Sequence, residues 1–197
     1  MRKLLIAALS VLALIVLAGC ASVPQAEIDA ATAALTEAKS AGADVYAAES
    51  LQATLDKESA LNAELATQEG NFFKSYDLTA QLAGELKQLA EKAKVDAVAG
   101  KEQAKLDAEA AITATEAAIT AAQEALKTAP KGKGSAADLA AMTGDVEAAV
   151  NAIAECKTMM GEEKYLDVKT KAESAKAQAD KVVADIQAAI EMKRGRK

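Results

Sequence analysis

The chain has 197 residues, a formal net charge of −6, no histidine or tryptophan, two cysteines, three tyrosines and two phenylalanines. An acidic, ring-poor chain lacks the basic patches and stacking platforms that hold nucleic acid, so no nucleic-acid partner is expected. Without imidazole, a metal site of nitrogen and sulfur ligands is not expected, nor is a serine or thiol with a base to activate it; no cofactor and no enzymatic activity are anticipated.

About a quarter of the residues are alanine. Alanine is the best helix former, yet its methyl buries little, at ~0.8 kcal/mol per carbon. No alternating run of β-branched residues bounded by turns is present. The expected fold is all-α: elongated antiparallel helical hairpins in a coiled-coil-like, alanine-rich bundle, with about five helices after the first twenty residues.

Arg2 and Lys3 precede an uncharged run from Leu4 to Leu17, and Ala18, Gly19 and Cys20 follow at once. A secretory signal has this three-part form, and the run is short of the ~20 residues a membrane span needs. Leu17-Ala18-Gly19-Cys20 resembles the lipobox of bacterial lipoproteins. That resemblance implies cleavage between Gly19 and Cys20, acyl chains on Cys20, and a membrane partner held through the N-terminal lipid. Ala21, in place of aspartate, resembles the outer-membrane sorting signal, implying a lipid-anchored protein of the outer membrane that faces the periplasm. The expected layout is a signal peptide over 1–19, a lipidated tether over 20–25, a first helical hairpin unit with a long third helix over 26–128, a loop over 129–135, and a second helical hairpin with a basic tail over 136–197. Cys156 then remains as a single thiol.

Along the mature chain, Ile28, Leu35 and Gly42 recur every seventh residue, so the first helix is expected from about Pro24, which suits a first turn, to Ala41. Ala43 to Tyr46 reads as a turn. A second helix over about Ala47 to Glu69 places Leu51, Leu55, Leu61 and Leu65 within an arc of ~120°; Glu58 and Asn62 fall in the same arc, either lining a ligand groove or marking a solvated seam. The third helix is expected from about Phe72, with Phe73, Tyr76, Ala80, Ala83, Leu86, Ala90 and Ala93 as its inner stripe. Gly100 is its weak point, costing ~1 kcal/mol relative to alanine, so the helix either breaks there or runs on to about Thr128; no proline or cap cluster marks a stop, and continuity, with or without a bend, is expected.

The loop Pro130 to Ser135 lacks the spacing of a phosphate-binding loop, and Ser135 with Asp138 reads as a helix cap. In the fourth helix, Leu139, Met142, Val146, Ala149, Ile153, Cys156 and Met160 alternate steps of three and four, which makes Cys156 an inward position where a thiol behaves as a small hydrophobe. After Gly161 the stripe Tyr165, Val168, Ala172, Ala175, Ala179, Val182, Ile186 completes a hairpin joined by a glycine turn. Leu51, Leu55, Leu65 and Gly70 correspond to Met142, Val146, Cys156 and Gly161 at an offset of 91, and Phe73, Tyr76 and Ala80 to Tyr165, Val168 and Ala172 at 92, which predicts two related hairpins.

Gly42-Ala43-Asp44-Val45-Tyr46-Ala47-Ala48-Glu49-Ser50-Leu51, with Gly70 at the following turn, resembles the pattern of an alanine-rich bacterial lipoprotein family, the domain of unknown function 4398. Ala48 stands where that family often has proline. The resemblance covers 27–97, implies an envelope location, and carries no activity or binding residues. The readings it leaves are a helical scaffold or adaptor for envelope proteins, and a structural spacer on peptidoglycan. The second rests on Lys193, Arg194, Arg196 and Lys197, whose terminal Arg-Lys resembles the major peptidoglycan-linked lipoprotein; a basic helix end that complements the macrodipole or touches lipid has the same residues. A carrier for an apolar ligand is a third reading, and self-association through helical seams is compatible with all of them.

Overall fold

The computed structural model describes residues 22–130 and 135–195. Gly19 and Cys20, loop residues 131–134, and Arg196 with Lys197 lie outside them. The described residues form six helices and no strand: α1 Gln25–Ser40, α2 Ala43–Tyr46, α3 Ala48–Gly70, α4 Asp77–Thr128, α5 Ser135–Gly161 and α6 Tyr165–Arg194. Five are long and correspond to the five expected; the sixth, α2, is a single turn at the segment read as a turn. Gly42 makes it. At φ +84° it adopts the left-handed conformation that glycine alone takes freely, and its carbonyl accepts from the amides of Val45 and Tyr46.

The described chain divides into two compact units, the first ending at Gly100 and the second beginning at Lys101. The division falls inside α4, which is helical without interruption across Gly100. In the first unit, α1 and α3 pack on the first half of α4. Ala31, Leu61, Ala83 and Leu86 form one buried cluster, with Ile28, Leu65 and Leu82 against it. Leu35, Ala38, Leu51, Ala90, Ala93 and Ala97 belong to the next. The numbering shows the directions: α1 runs parallel to α4 and α3 runs against both. In the second unit, Val146, Ala149, Ile153 and Cys156 of α5 are buried with Val168, Ala172, Ala175, Ala179, Val182 and Ile186 of α6 and Ala108, Ile112, Thr115, Ile119 and Ala122 of α4. Thr115 Oγ1 lies 2.9 Å from the Ala172 carbonyl and 2.7 Å from that of Ala111, so one hydroxyl proton is shared across the seam. Ion pairs ring this unit, including Lys169–Asp107 at 2.8 Å and Lys157–Glu116 at 2.8 Å.

The burial pattern shows the same three-helix unit twice, in a register that the sequence match did not find. Ala31, Ala34, Leu35 and Ala38 of α1 correspond to Thr115, Ala118, Ile119 and Ala122 of α4, each 84 residues on. Leu51, Thr54 and Leu61 correspond to Val146, Ala149 and Cys156, 95 on. Thr79, Ala83, Leu86, Ala90, Ala93 and Ala97 correspond to Val168, Ala172, Ala175, Ala179, Val182 and Ile186, 89 on. All these positions are buried in both units. The drop from 95 to 89 means that six more residues separate Leu61 from Thr79 than separate Cys156 from Val168; the α3–α4 connection itself, 71–76, is three residues longer than the α5–α6 connection, 162–164.

The helices end at the two glycines read as their stops, α3 at Gly70 and α5 at Gly161, and neither glycine is left-handed: among the described residues positive φ occurs only at Gly42 and Glu163 (φ 59°). The α5–α6 turn therefore reverses at Glu163, where Lys164 donates its amide to the Met159 carbonyl at 3.1 Å. One further expectation is corrected: α4 starts at Asp77 rather than Phe72. Phe72 and Phe73 are not core residues but stand 92% and 87% exposed in the turn. The turn is organised instead by Gln68, whose Oε1 accepts from the Ser75 amide at 3.0 Å, and by Ser75, whose hydroxyl lies 3.3 Å from Asp77 Oδ2.

Candidate functional site

The basic residues that are described, Lys193 and Arg194, occupy the last turn of α6, where cationic side chains complement the helix dipole. Because α6 runs parallel to the second half of α4, this end lies beside the end of α4, and Lys193 and Arg194 line an open cleft of about 380 Å³ with Thr128, Pro130 and Ile190. Both are exposed. The cleft presents two cations beside an isoleucine and a proline, an arrangement able to hold an anionic group of a polymer or lipid.

Cys156 is fully buried at the α5–α6 seam, its Sγ 3.8 Å from the Val168 carbonyl. Burial raises its thiol above the ordinary range, against a smaller opposing pull from Lys171. A thiol so held is neither nucleophilic nor reachable, which is the inward position read from the stripe.

Glu58 and Asn62 do not line a groove: Asn62 is exposed, Glu58 is half-buried, and the polar side chain turned into the α3 seam is Thr54, whose hydroxyl bonds to the Ser50 carbonyl at 2.8 Å. One polar cluster was not anticipated. Ser50 donates to Asp96, and Lys92 pairs with the same carboxylate, in a shallow groove that also includes Glu49, Ala53 and Leu89. The ammonium and Ser50 together hold the Asp96 carboxyl below its usual range. Lys92 is thus an ion-pair partner and not a base for Ser50, and the cluster fastens α3 to α4. Lys57–Glu85 at 2.7 Å and Lys94–Glu37 at 2.9 Å do the same for α3–α4 and α1–α4.

The chain matches no protein-family model, no curated protein and no solved structure.

No group of three or more potential metal-ligating residues occurs among the described residues, and none of their helices is long and apolar enough to cross a membrane. The feature that the sequence reading missed is the exposed pair Phe72–Phe73, edge-to-face with centroids 4.9 Å apart and planes at 87°. The signal that could have found it is Ser75-Tyr76-Asp77: capping residues two to five positions after the rings place the helix start beyond them.

Proposed function

We propose that this chain is a periplasm-facing lipoprotein, acylated on Cys20 and tethered to the outer membrane, that acts as a helical scaffold or adaptor for envelope partners. The observation that carries the reading is Leu17-Ala18-Gly19-Cys20 followed by a helical bundle whose first helix begins at Gln25. So short a tether holds the first unit against the bilayer surface and leaves the outward faces of the helices as the means of recognition. Alanine seams close the units from within, and the grooves between helices are open clefts, such as the one of about 540 Å³ between Ala148, Met159 and Gln178. Such surfaces suit a protein partner better than an enclosed small molecule. Crosslinking in whole envelopes, followed by purification of the acylated chain and identification of what it carries, tests the reading. Defined envelope proteins, lost when outward-facing residues are altered, are expected; an acylated chain that captures none refutes the adaptor role.

A second reading is favoured by the exposed cations of α6. A spacer that reaches peptidoglycan would use Lys193 and Arg194, with Arg196 and Lys197, the last joined to the wall. Muropeptide analysis of the wild type and of Lys197→Ala is the test: wall-linked peptide in the former and none in the latter is required.

A further inference from the structure

We infer that the Phe72–Phe73 turn is a second membrane contact, inserting into the interface of the bilayer that anchors Cys20. The inference rests on the lipoprotein reading above. Within the first unit, Ala26 and Glu27 line one open groove with Ala83, Gly84 and Lys87, so the start of α1 is level with the second turn of α4. From Ala83 back to Asp77, α4 continues ~9 Å further at 1.5 Å per residue, and the turn carrying the rings projects beyond that. The five residues from Cys20 to Pro24 span at most ~18 Å. A tether of that length lets an acylated Cys20 reach the level of the two rings.

That end carries an unusual load of exposed apolar side chains. Phe72 and Phe73 are joined there by Val23 on the tether, 41% exposed, and Leu78 in the first turn of α4, 47% exposed. The turn is also longer than a hairpin requires. The second unit joins its equivalent helices through the three residues 162–164, against the six of 71–76, and its equivalent of Tyr76, Tyr165, is buried. The longer connection carries both phenylalanines, which contribute nothing to the core. Rings on a short projection beside a lipid anchor fit the headgroup–acyl boundary, where amphipathic elements bury Phe and Leu. The charges beside them are mixed, Lys74 against Glu69 and Asp77, so ring burial rather than attraction to anionic lipid drives the contact, and salt leaves it unchanged.

The chain has no tryptophan, so Phe72→Trp and Phe73→Trp each install a sole indole reporter at an exposed site that the fold does not use. Val45→Trp does so at the opposite end of the same unit, in α2. The full acylated chain is reconstituted in vesicles of phosphatidylethanolamine and phosphatidylglycerol, with and without a brominated phosphatidylcholine. The expected result is a blue shift of the indole at 72 or 73 and loss of its emission to the brominated lipid, at low and high salt alike, with neither change at 45. An acylated, vesicle-bound chain whose indoles at 72 and 73 stay unshifted and unquenched overturns this inference and leaves the anchor intact. A blue shift without quenching by lipid places the rings against a second copy or another protein surface and overturns it equally. A purified chain carrying no acyl group, by mass, overturns the anchor and this inference together.

Discussion

Alanine in place of Gly100 separates helix propensity from packing. In a helix interior, propensity favours alanine over glycine by ~1 kcal/mol. A Cβ built on Gly100, however, would lie 2.4 Å from the Tyr46 carbonyl oxygen and 3.2 Å from the Tyr46 carbonyl carbon and Cβ, whereas ordinary contact begins at 3.4 Å. The obstacle is backbone at the end of α2, so relief requires the α1–α3 corner to move off α4 by ~1 Å, an overpacking that costs ~1–3 kcal/mol. Packing wins, and Gly100→Ala is expected to destabilise the protein by up to ~2 kcal/mol, or up to ~8 °C in Tm at ~2–4 °C per kcal/mol for a chain of this size. Gly84→Ala in the same helix and Gly144→Ala in α5 are the internal controls, since a Cβ at either meets nothing within 4 Å; each should stabilise by ~0.5–1 kcal/mol. Thermal melts of the three variants, followed by circular dichroism on the soluble unacylated chain, give the comparison. A Gly100→Ala protein that melts at or above the wild-type temperature would refute the close approach of Tyr46 to α4.

Thr79 and Thr115 should respond in opposite senses to valine. Thr79 Oγ1 is buried without a hydrogen-bond partner, so Thr79→Val removes an unmet desolvation cost and raises stability by ~1 kcal/mol; Thr115→Val deletes the hydroxyl bonded across the seam to Ala172 and lowers it by ~0.5–1.5 kcal/mol, both read from denaturant midpoints. Stability should be flat through neutral pH, because the chain has no histidine. Asp107, held low chiefly by Lys169 and then Gln103, and Glu85, held low by Lys57 and then Gln81, contribute stability above their unfolded values and lose it as pH falls through the folded ones. Lys169 and Lys171, raised chiefly by Asp107 and Glu155, contribute below the ordinary lysine value and lose it only as pH rises through their folded values. A step in Tm near pH 6–7 would contradict this. Cys156 should react slowly with a thiol reagent in the native protein and fast in denaturant; equal rates would place it on the surface.

The hairpin α5–α6 could be read from the sequence because its inward positions include Ile153, Val168, Val182 and Ile186, residues large enough to mark a stripe. The Phe72–Phe73 turn was misread because Phe73, Tyr76 and Ala80 fall at helical spacing, and spacing does not distinguish a ring that packs from one that projects. The internal repeat was found in the wrong register for a related reason: alanine is inward at Ala90 and outward at Ala53, so alanine-rich segments align about as well when shifted. Glu163 carried no signal for a left-handed turn, since glycine two residues earlier was the more obvious candidate. The need for Gly100 lies in a contact with Tyr46, far away in sequence, and nothing local to residue 100 reveals it. The lipidation residues Gly19 and Cys20 stand as a sequence inference, as do Arg196 and Lys197.

Helix α4 carries the last inward positions of the first unit and the first inward positions of the second. The last helix of one unit is the first helix of the next, so each further unit needs only two new helices. The offsets carry an instruction for building: residues 84 to 95 apart do the same job, and a continuation of α6 past Ile186 that repeats the α4 sequence after Ala97 would present the inward positions for a third unit. In a chain of this kind residues can be added in whole modules. Longer chains could be made from this one sequence by duplicating a segment that starts and ends inside a helix, where no loop has to be redesigned.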